Sequence, residues 1–179
     1  MTKQTNARIR KFDRAVGQYI SADFRQWLID TGFFTAPAST RYHGAYEGGL
    51  FDHSWKVMTR LVQLTRRNRL TWQAHRSPYI VGIFHDLCKT DQYRKLKEPD
   101  GEKKYEYVET EDKGHGDKSV RYLEKFISLT LEEAMCIIYH MGAFTDREEW
   151  TFYSKAVDKF ENVLWTHQAD MLASHVDKV

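Results

Sequence analysis

Between Asn6 and Asp30 the apolar residues fall at Ile9, Phe12, Val16, Ile20, Phe24, Trp27 and Leu28. The steps from Ile9 to Trp27 are all three or four, the spacing of one helix face. Ser21 is placed to cap a second helix with Phe24 in its first turn. The stretch TGFFTAPASTRYHGAYEGG then carries small residues, Pro37 and four glycines, which reads as a connection. A new periodic segment runs from Leu50 to Leu64 and ends in the polar TRRNR. SPYIVGIFHDLCKT predicts a helix with Ser77 as N-cap and Pro78 in the first helical position, where a missing N–H costs nothing. Its first half is apolar almost all round, so it is the expected central buried helix.

The period then breaks. Pro99-Asp100-Gly101 is a turn signal, and Tyr105, Tyr107 and Val108 suit strands. A small hairpin or irregular flap is therefore expected near 93–110. Helices are expected again from about His115 to Phe126, from Leu131 to about His140, and from about Tyr153 to Ser174. Thr130 has Glu133 three residues on, the capping-box spacing. With no internal repeat or linker in view, the pattern predicts one all-α domain, 1–179, a bundle of six or seven helices.

Composition narrows the class. Hydrophobic residues are 41% and charged residues 29%, as in a soluble globular chain. Lys and Arg total 27 against 25 for Asp and Glu, which is too balanced for bulk nucleic-acid binding. The two cysteines, Cys88 and Cys136, are too far apart for a CxxC site and sit in apolar contexts, where inert core thiols are expected. No stretch resembles a signal peptide or a membrane span, so a cytoplasmic location with no membrane contact is the expectation.

Several polar residues stand where solvent-facing ones do not belong. His53 lies early in the helix that starts near Leu50, and His85-Asp86 ends the most apolar segment. His115 sits between two glycines, His140 follows AMCIIY, and Asp170 lies among Leu164, Trp165, Met171 and Leu172. A buried aspartate needs a partner, and one metal ion can serve several such groups together. Imidazole and carboxylate suit first-row divalent metals, and carboxylate suits magnesium. The gaps between these residues are long, so spacing alone leaves separate, locally satisfied polar residues as an equal reading.

The ordered set His53, His85-Asp86, Asp170 resembles the H…HD…D signature of the HD-domain superfamily of metal-dependent phosphohydrolases. YHGAYEGGLFDHS (42–54), FHDLCKTD (84–91), GHGDKS from Gly114 and IIYHM from Ile137 resemble its surrounding blocks. The resemblance implies a core over 42–174 with 1–40 as a helical extension packed on it. It implies that His53, His85, Asp86 and Asp170 bind a divalent metal, one or two ions of Fe, Mn, Co, Ni, Zn or Mg. Asp86 would bridge to a second ion, with His115 and His140 on that side or against the substrate phosphate. Lys89 would contact the phosphate or make a supporting hydrogen bond. Departures are Cys88, where the family often has glycine, and Met141, where some relatives have a second histidine.

The activity so implied is hydrolysis of a phosphomonoester or phosphodiester, the substrate being a small phosphorylated molecule such as a nucleotide or short oligonucleotide. Among these residues Asp86, Lys89, His115 and His140 are the catalytic candidates. An unligated His115 or His140 is better suited than metal-bound Asp86 to hand a proton to the leaving oxygen. The alternatives are a nuclease for single-stranded nucleic acid and a degenerate HD domain that binds a nucleotide or a partner. A homodimer stays open. His115 also reads as a cap residue, His140 as a last-turn histidine and Lys89 as a cation near a helix end. His43 and Glu47 line the site mouth or only shape their loop, Asp52 is an ordinary first-turn carboxylate, and His167 supports the site or is simply half-buried.

Overall fold

The computed structural model describes residues 1–41, 44–100, 103–108 and 114–179. These form an all-helical bundle of eight α-helices with one two-stranded antiparallel hairpin. The helices are α1 (Lys3–Val16), α2 (Ala22–Asp30), α3 (Gly49–Asn68), α4 (Ser77–Phe84), α5 (His115–Glu124), α6 (Leu131–Ile138), α7 (Trp150–Lys159) and α8 (Asn162–Met171). The strands are β1 (Tyr93–Asp100) and β2 (Lys103–Tyr107), with Tyr93 opposite Tyr107 and Lys95 opposite Tyr105. This is the flap expected near 93–110.

The helix starts follow the local chemistry. The Ser21 hydroxyl accepts from the Phe24 N–H at 3.1 Å, and Thr130 and Glu133 close a reciprocal capping box. Each satisfies an N–H that the helix itself leaves open. α3 starts after Gly48, whose φ of 83° lies in the left-handed region. There the Arg8 guanidinium packs against the Gly48 backbone and grips Asp52 at 3.1 and 2.8 Å. Asp52 is thus a structural carboxylate that ties α1 to α3.

One apolar core runs from Ile9 in α1 to Ala173 beyond α8. Phe12, Phe24, Phe33, Phe34, Phe51 and Phe84 pack in it edge to face or tilted, with centroids 5.2–6.3 Å apart. α4 is its axis: Ile80, Val81, Ile83 and Phe84 have no exposed surface. That is why its sequence lacks a polar face.

One expectation is corrected. The single helix expected from about Tyr153 to Ser174 is two, α7 and α8. Phe160 adopts an extended backbone between α7 and α8. The buried Asn162 side chain follows, donating to the Thr71 carbonyl at 2.7 Å and to Glu132 Oε1 at 2.8 Å. These buried bonds fix a new helix start, and helical periodicity cannot register them. α8 then widens into a π-turn over Leu172–Val176. No helix among the described residues is long and apolar enough to cross a membrane.

Candidate metal centre

The bundle gathers residues from five stretches around one carboxylate. α3 supplies His53 in its second turn. His85 caps the end of α4, and Asp86 leads into a tight 3-10 turn over Leu87–Thr90 that carries Cys88 and Lys89. His115 opens α5, His140 follows α6, and Asp170 is near the end of α8. Gly116 lets this assembly close: a Cβ there would strike the backbone of Ile137 and Ile138, so α5 could not press against α6.

The two oxygens of Asp86 face different partners. Oδ2 lies 2.7 Å from Lys89 Nζ, 3.3 Å from His85 Nε2 and 3.6 Å from His53 Nε2. Oδ1 lies 2.5 Å from His115 Nε2 and 3.5 Å from His140 Nε2. His53 Nε2 is also 3.2 Å from Asp170 Oδ1. Donor atoms of His53, His85 and Asp170 lie within 4.8 Å of one another, as do those of His85, Asp86 and His140. All seven residues singled out from the sequence therefore meet at one place, and six of them offer metal donors.

The imidazole orientations decide what the place can hold. His53 Nδ1 is 2.9 Å from the Val179 main-chain oxygen, His85 Nδ1 3.0 Å from the Gly82 carbonyl, and His140 Nδ1 2.7 Å from that of Ile137. Such main-chain oxygens only accept, so each Nδ1 carries a proton and donates it. In the neutral ring Nε2 is then a lone pair. All three Nε2 atoms lie 3.2–3.6 Å from carboxylate oxygens, and electron-rich atoms crowded in this way repel unless a cation sits among them. The Nε2 atoms of His85 and His140 are fully buried and make no hydrogen bond among the described residues. Such an Nδ1–carbonyl bond is the usual way a protein aims a metal-binding Nε2. Nitrogen and oxygen donors of this kind fit a divalent cation, and these clusters form a divalent-metal site.

The charges agree. Burial pushes the Asp86 carboxyl up, but Lys89, His85 and His115 outweigh it and hold the group well below the usual carboxylate range. Asp170 is likewise lowered against its burial by His53 and His85. Burial lowers His85 and His115, with Asp86 opposing. His140 is raised, because Asp86 overcomes its burial. Lys89 is raised against its burial by Asp86. These directions fix how the metal-free protein responds to acid. Carboxyls depressed in the fold contribute stability that is present above their unfolded values and lost as pH falls through the folded ones. His85 and His115, also depressed, take up protons more readily unfolded, so stability drops below about pH 6.5. His140 alone works the other way. The melting temperature of chelator-stripped protein should therefore fall from neutral pH to about pH 5 and further below. A flat or rising profile would contradict this charge arrangement.

Outside the cluster, Glu47 is exposed, and His43 lies outside the described residues. His167 Nδ1 meets the His140 carbonyl at 2.9 Å, so it braces the turn that carries His140. Sequence reasoning missed Cys88. Its Sγ is 3.2 Å from His115 Nδ1, not in an apolar pocket. Burial and then Asp86 push its thiol up to about 12. The only available signal was its position two residues after Asp86. Beside His115 opens a cavity of about 230 Å³, lined among the described residues by Tyr139, Phe144 and the carboxylates Asp117, Asp146 and Glu149.

In comparisons with protein-family models, curated proteins and solved structures, nothing matches this chain.

Proposed function

We propose that this protein is a metal-dependent phosphohydrolase of the HD type, built as a single domain with its core over 42–174 and 1–40 packed against it. The observation that carries the reading is the set of three buried Nε2 atoms that lie 3.2–3.6 Å from the carboxylates of Asp86 and Asp170. His53, His85, Asp170 and Asp86 Oδ2 would hold one ion, and Asp86 Oδ1 with His140 and His115 would face a second. When bound, a divalent cation here lowers the pKa of water and neutralises charge that builds on a phosphoryl group.

The chain's own residues supply the rest. Lys89 is a protonated cation beside the centre. Once an ion engages Asp86 Oδ2, its ammonium is available to hold a phosphate oxygen. His140 is fully buried, whereas the His115 side chain is 28% exposed and borders the cavity. Contact with the substrate therefore falls to His115, as does proton transfer to the leaving oxygen when His115 carries no ion. The cavity favours a small monoester over a polyanion. Its carboxylates repel further phosphates but accept hydrogen bonds from hydroxyl or amino groups, and Tyr139 and Phe144 offer aromatic faces. This disfavours the nuclease alternative and suits a nucleoside monophosphate or a similar small ester.

The test is hydrolysis by metal-stripped protein reloaded with Mn, Fe, Co, Ni, Zn or Mg in turn. The panel holds nitrophenyl phosphate, its diester, nucleoside mono- and triphosphates, and a short oligonucleotide. Turnover of monoesters above the others, abolished by chelator, is expected. Bound metal without turnover of any substrate would leave the site as a regulatory module. Processive cleavage of the oligonucleotide would restore the nuclease reading.

A further inference from the structure

We propose that Cys88, His115 and Asp86 Oδ1 hold a second divalent cation, so that one metal position in this centre includes a sulfur ligand. The inference rests on the metal reading above and sharpens it.

Cys88 Sγ lies 3.2 Å from His115 Nδ1 and 3.9 Å from Nε2, and donor atoms of Asp86, Cys88 and His115 fall within 4.8 Å of one another. With zinc-like bonds of about 2.3 Å to sulfur and about 2.0 Å to nitrogen, a tetrahedral ion separates two such ligands by roughly 3.5 Å. At Nε2, the nitrogen that also faces Asp86 Oδ1, the sulfur lies 3.9 Å away, a few tenths of an ångström beyond that spacing. The carboxylate is already divided: Oδ2 faces His53, His85 and Lys89, while Oδ1 faces His115 and His140. On this second side His140 Nε2 is buried without a hydrogen bond among the described residues. The two ligand-bearing segments are also fastened together. The Cys88 N–H donates to Ser119 Oγ at 3.1 Å, and Ser119 Oγ donates to the His115 carbonyl at 3.3 Å. One serine thereby fixes the 3-10 turn against α5, the kind of support that holds ligands in place.

Two rival readings use the same atoms. An inert core thiol would sit among apolar groups, yet Cys88 has an imidazole, a serine hydroxyl and a carboxylate for neighbours. A Cys–His–Asp nucleophile has the same order of contacts, sulfur to imidazole to carboxylate. A nucleophile must meet its substrate, however. Cys88 has no exposed surface and is absent from the wall of the cavity beside His115. A single cation can reach a buried sulfur where a phosphoester or an acyl group cannot.

Binding would release the thiol proton to solvent and leave thiolate on the ion. A soft ligand favours zinc, cobalt or iron at this position over magnesium. With the ion bound, His115 is a ligand and is withdrawn from proton transfer.

The test is a cobalt(II) titration of metal-stripped protein, followed in the near ultraviolet for thiolate-to-cobalt charge transfer, with C88S and C88G alongside. Circular dichroism checks that each variant is folded. Wild type should take two equivalents, one of which brings the sulfur band. Both variants should keep one equivalent and lose the band. Equal cobalt uptake by wild type and C88S with no sulfur band would overturn the second site and leave the proposed function standing. A band that survives in C88S would place the sulfur elsewhere and also overturn it. Failure of wild type to bind cobalt at all would sink both readings.

Discussion

Replacement of Asp86 by asparagine should abolish metal loading and lower the proposed phosphoester hydrolysis by roughly a thousandfold or more, the scale on which loss of a key electrostatic group acts. Asp86 is the one residue that touches every other charged or imidazole group of the centre except Asp170, through one oxygen or the other. Asparagine keeps the shape and removes the charge. Its amide would also donate to one of the Nε2 lone pairs and so occupy the ligand atom. The metal-free fold should tolerate this, since the Lys89 side chain is 14% exposed and can turn its ammonium to water. Stability supplies a readout that does not depend on knowing the substrate. A ligand at about 100 times its Kd stabilises the native state by about 2.7 kcal/mol. Wild type should therefore melt at a higher temperature when zinc or manganese is added, and D86N should not respond. An equal thermal shift in the two proteins would show that the ions bind away from Asp86.

Much of this was legible in the sequence, and the limits are physical. Periodicity located most helices because each buries one face, α4 stood out because it is apolar all round, and the caps at Ser21 and Thr130 were legible because they need only three or four residues of chain. The break at Phe160 was not legible, because Asn162 is held by Thr71 and Glu132, whose proximity exists only after folding. The same distinction runs through the centre. Histidine and aspartate in apolar surroundings signal that a partner is required, and their order along the chain pointed to one shared partner through its resemblance to the H…HD…D signature. Cys88 gave no such signal, since a buried cysteine in an apolar run is ordinary. Its significance depends on α5 bringing His115 to 3.2 Å, an approach that Gly116 and Ser119 make possible from 28 or more residues away.

Gly82 tests the link between packing and chemistry most sharply, and G82A should weaken both. Gly82 lies in the middle of α4 and faces α3. A Cβ at this position would press into the backbone of Met58, reaching its N at 2.9 Å and its Cα closer still. Backbone cannot rotate away as a side chain can, so the two helices must part. Alanine gains up to about 1 kcal/mol of helix propensity over glycine. Overpacking of a filled core costs about 1–3 kcal/mol, so the net effect should be destabilising. The consequence reaches the metal ligands, because α3 carries His53 and α4 delivers His85, with ring centroids 5.3 Å apart. The Gly82 carbonyl is also the acceptor that aims His85. Metal affinity should accordingly fall by more than tenfold in protein that is still folded at the assay temperature, since ligand geometry tolerates displacements of only about 0.5 Å. G17A is the matched control. At Gly17 the backbone is right-handed helical, and a Cβ would meet only Asp13 Cβ at 3.8 Å, an ordinary contact. That variant should be neutral or slightly more stable and should bind metal as wild type does. Denaturant melts and cobalt titrations of the three proteins read both quantities. If G82A matched G17A in stability and affinity, the close crossing of α3 and α4 would not be what sets the spacing of His53 and His85.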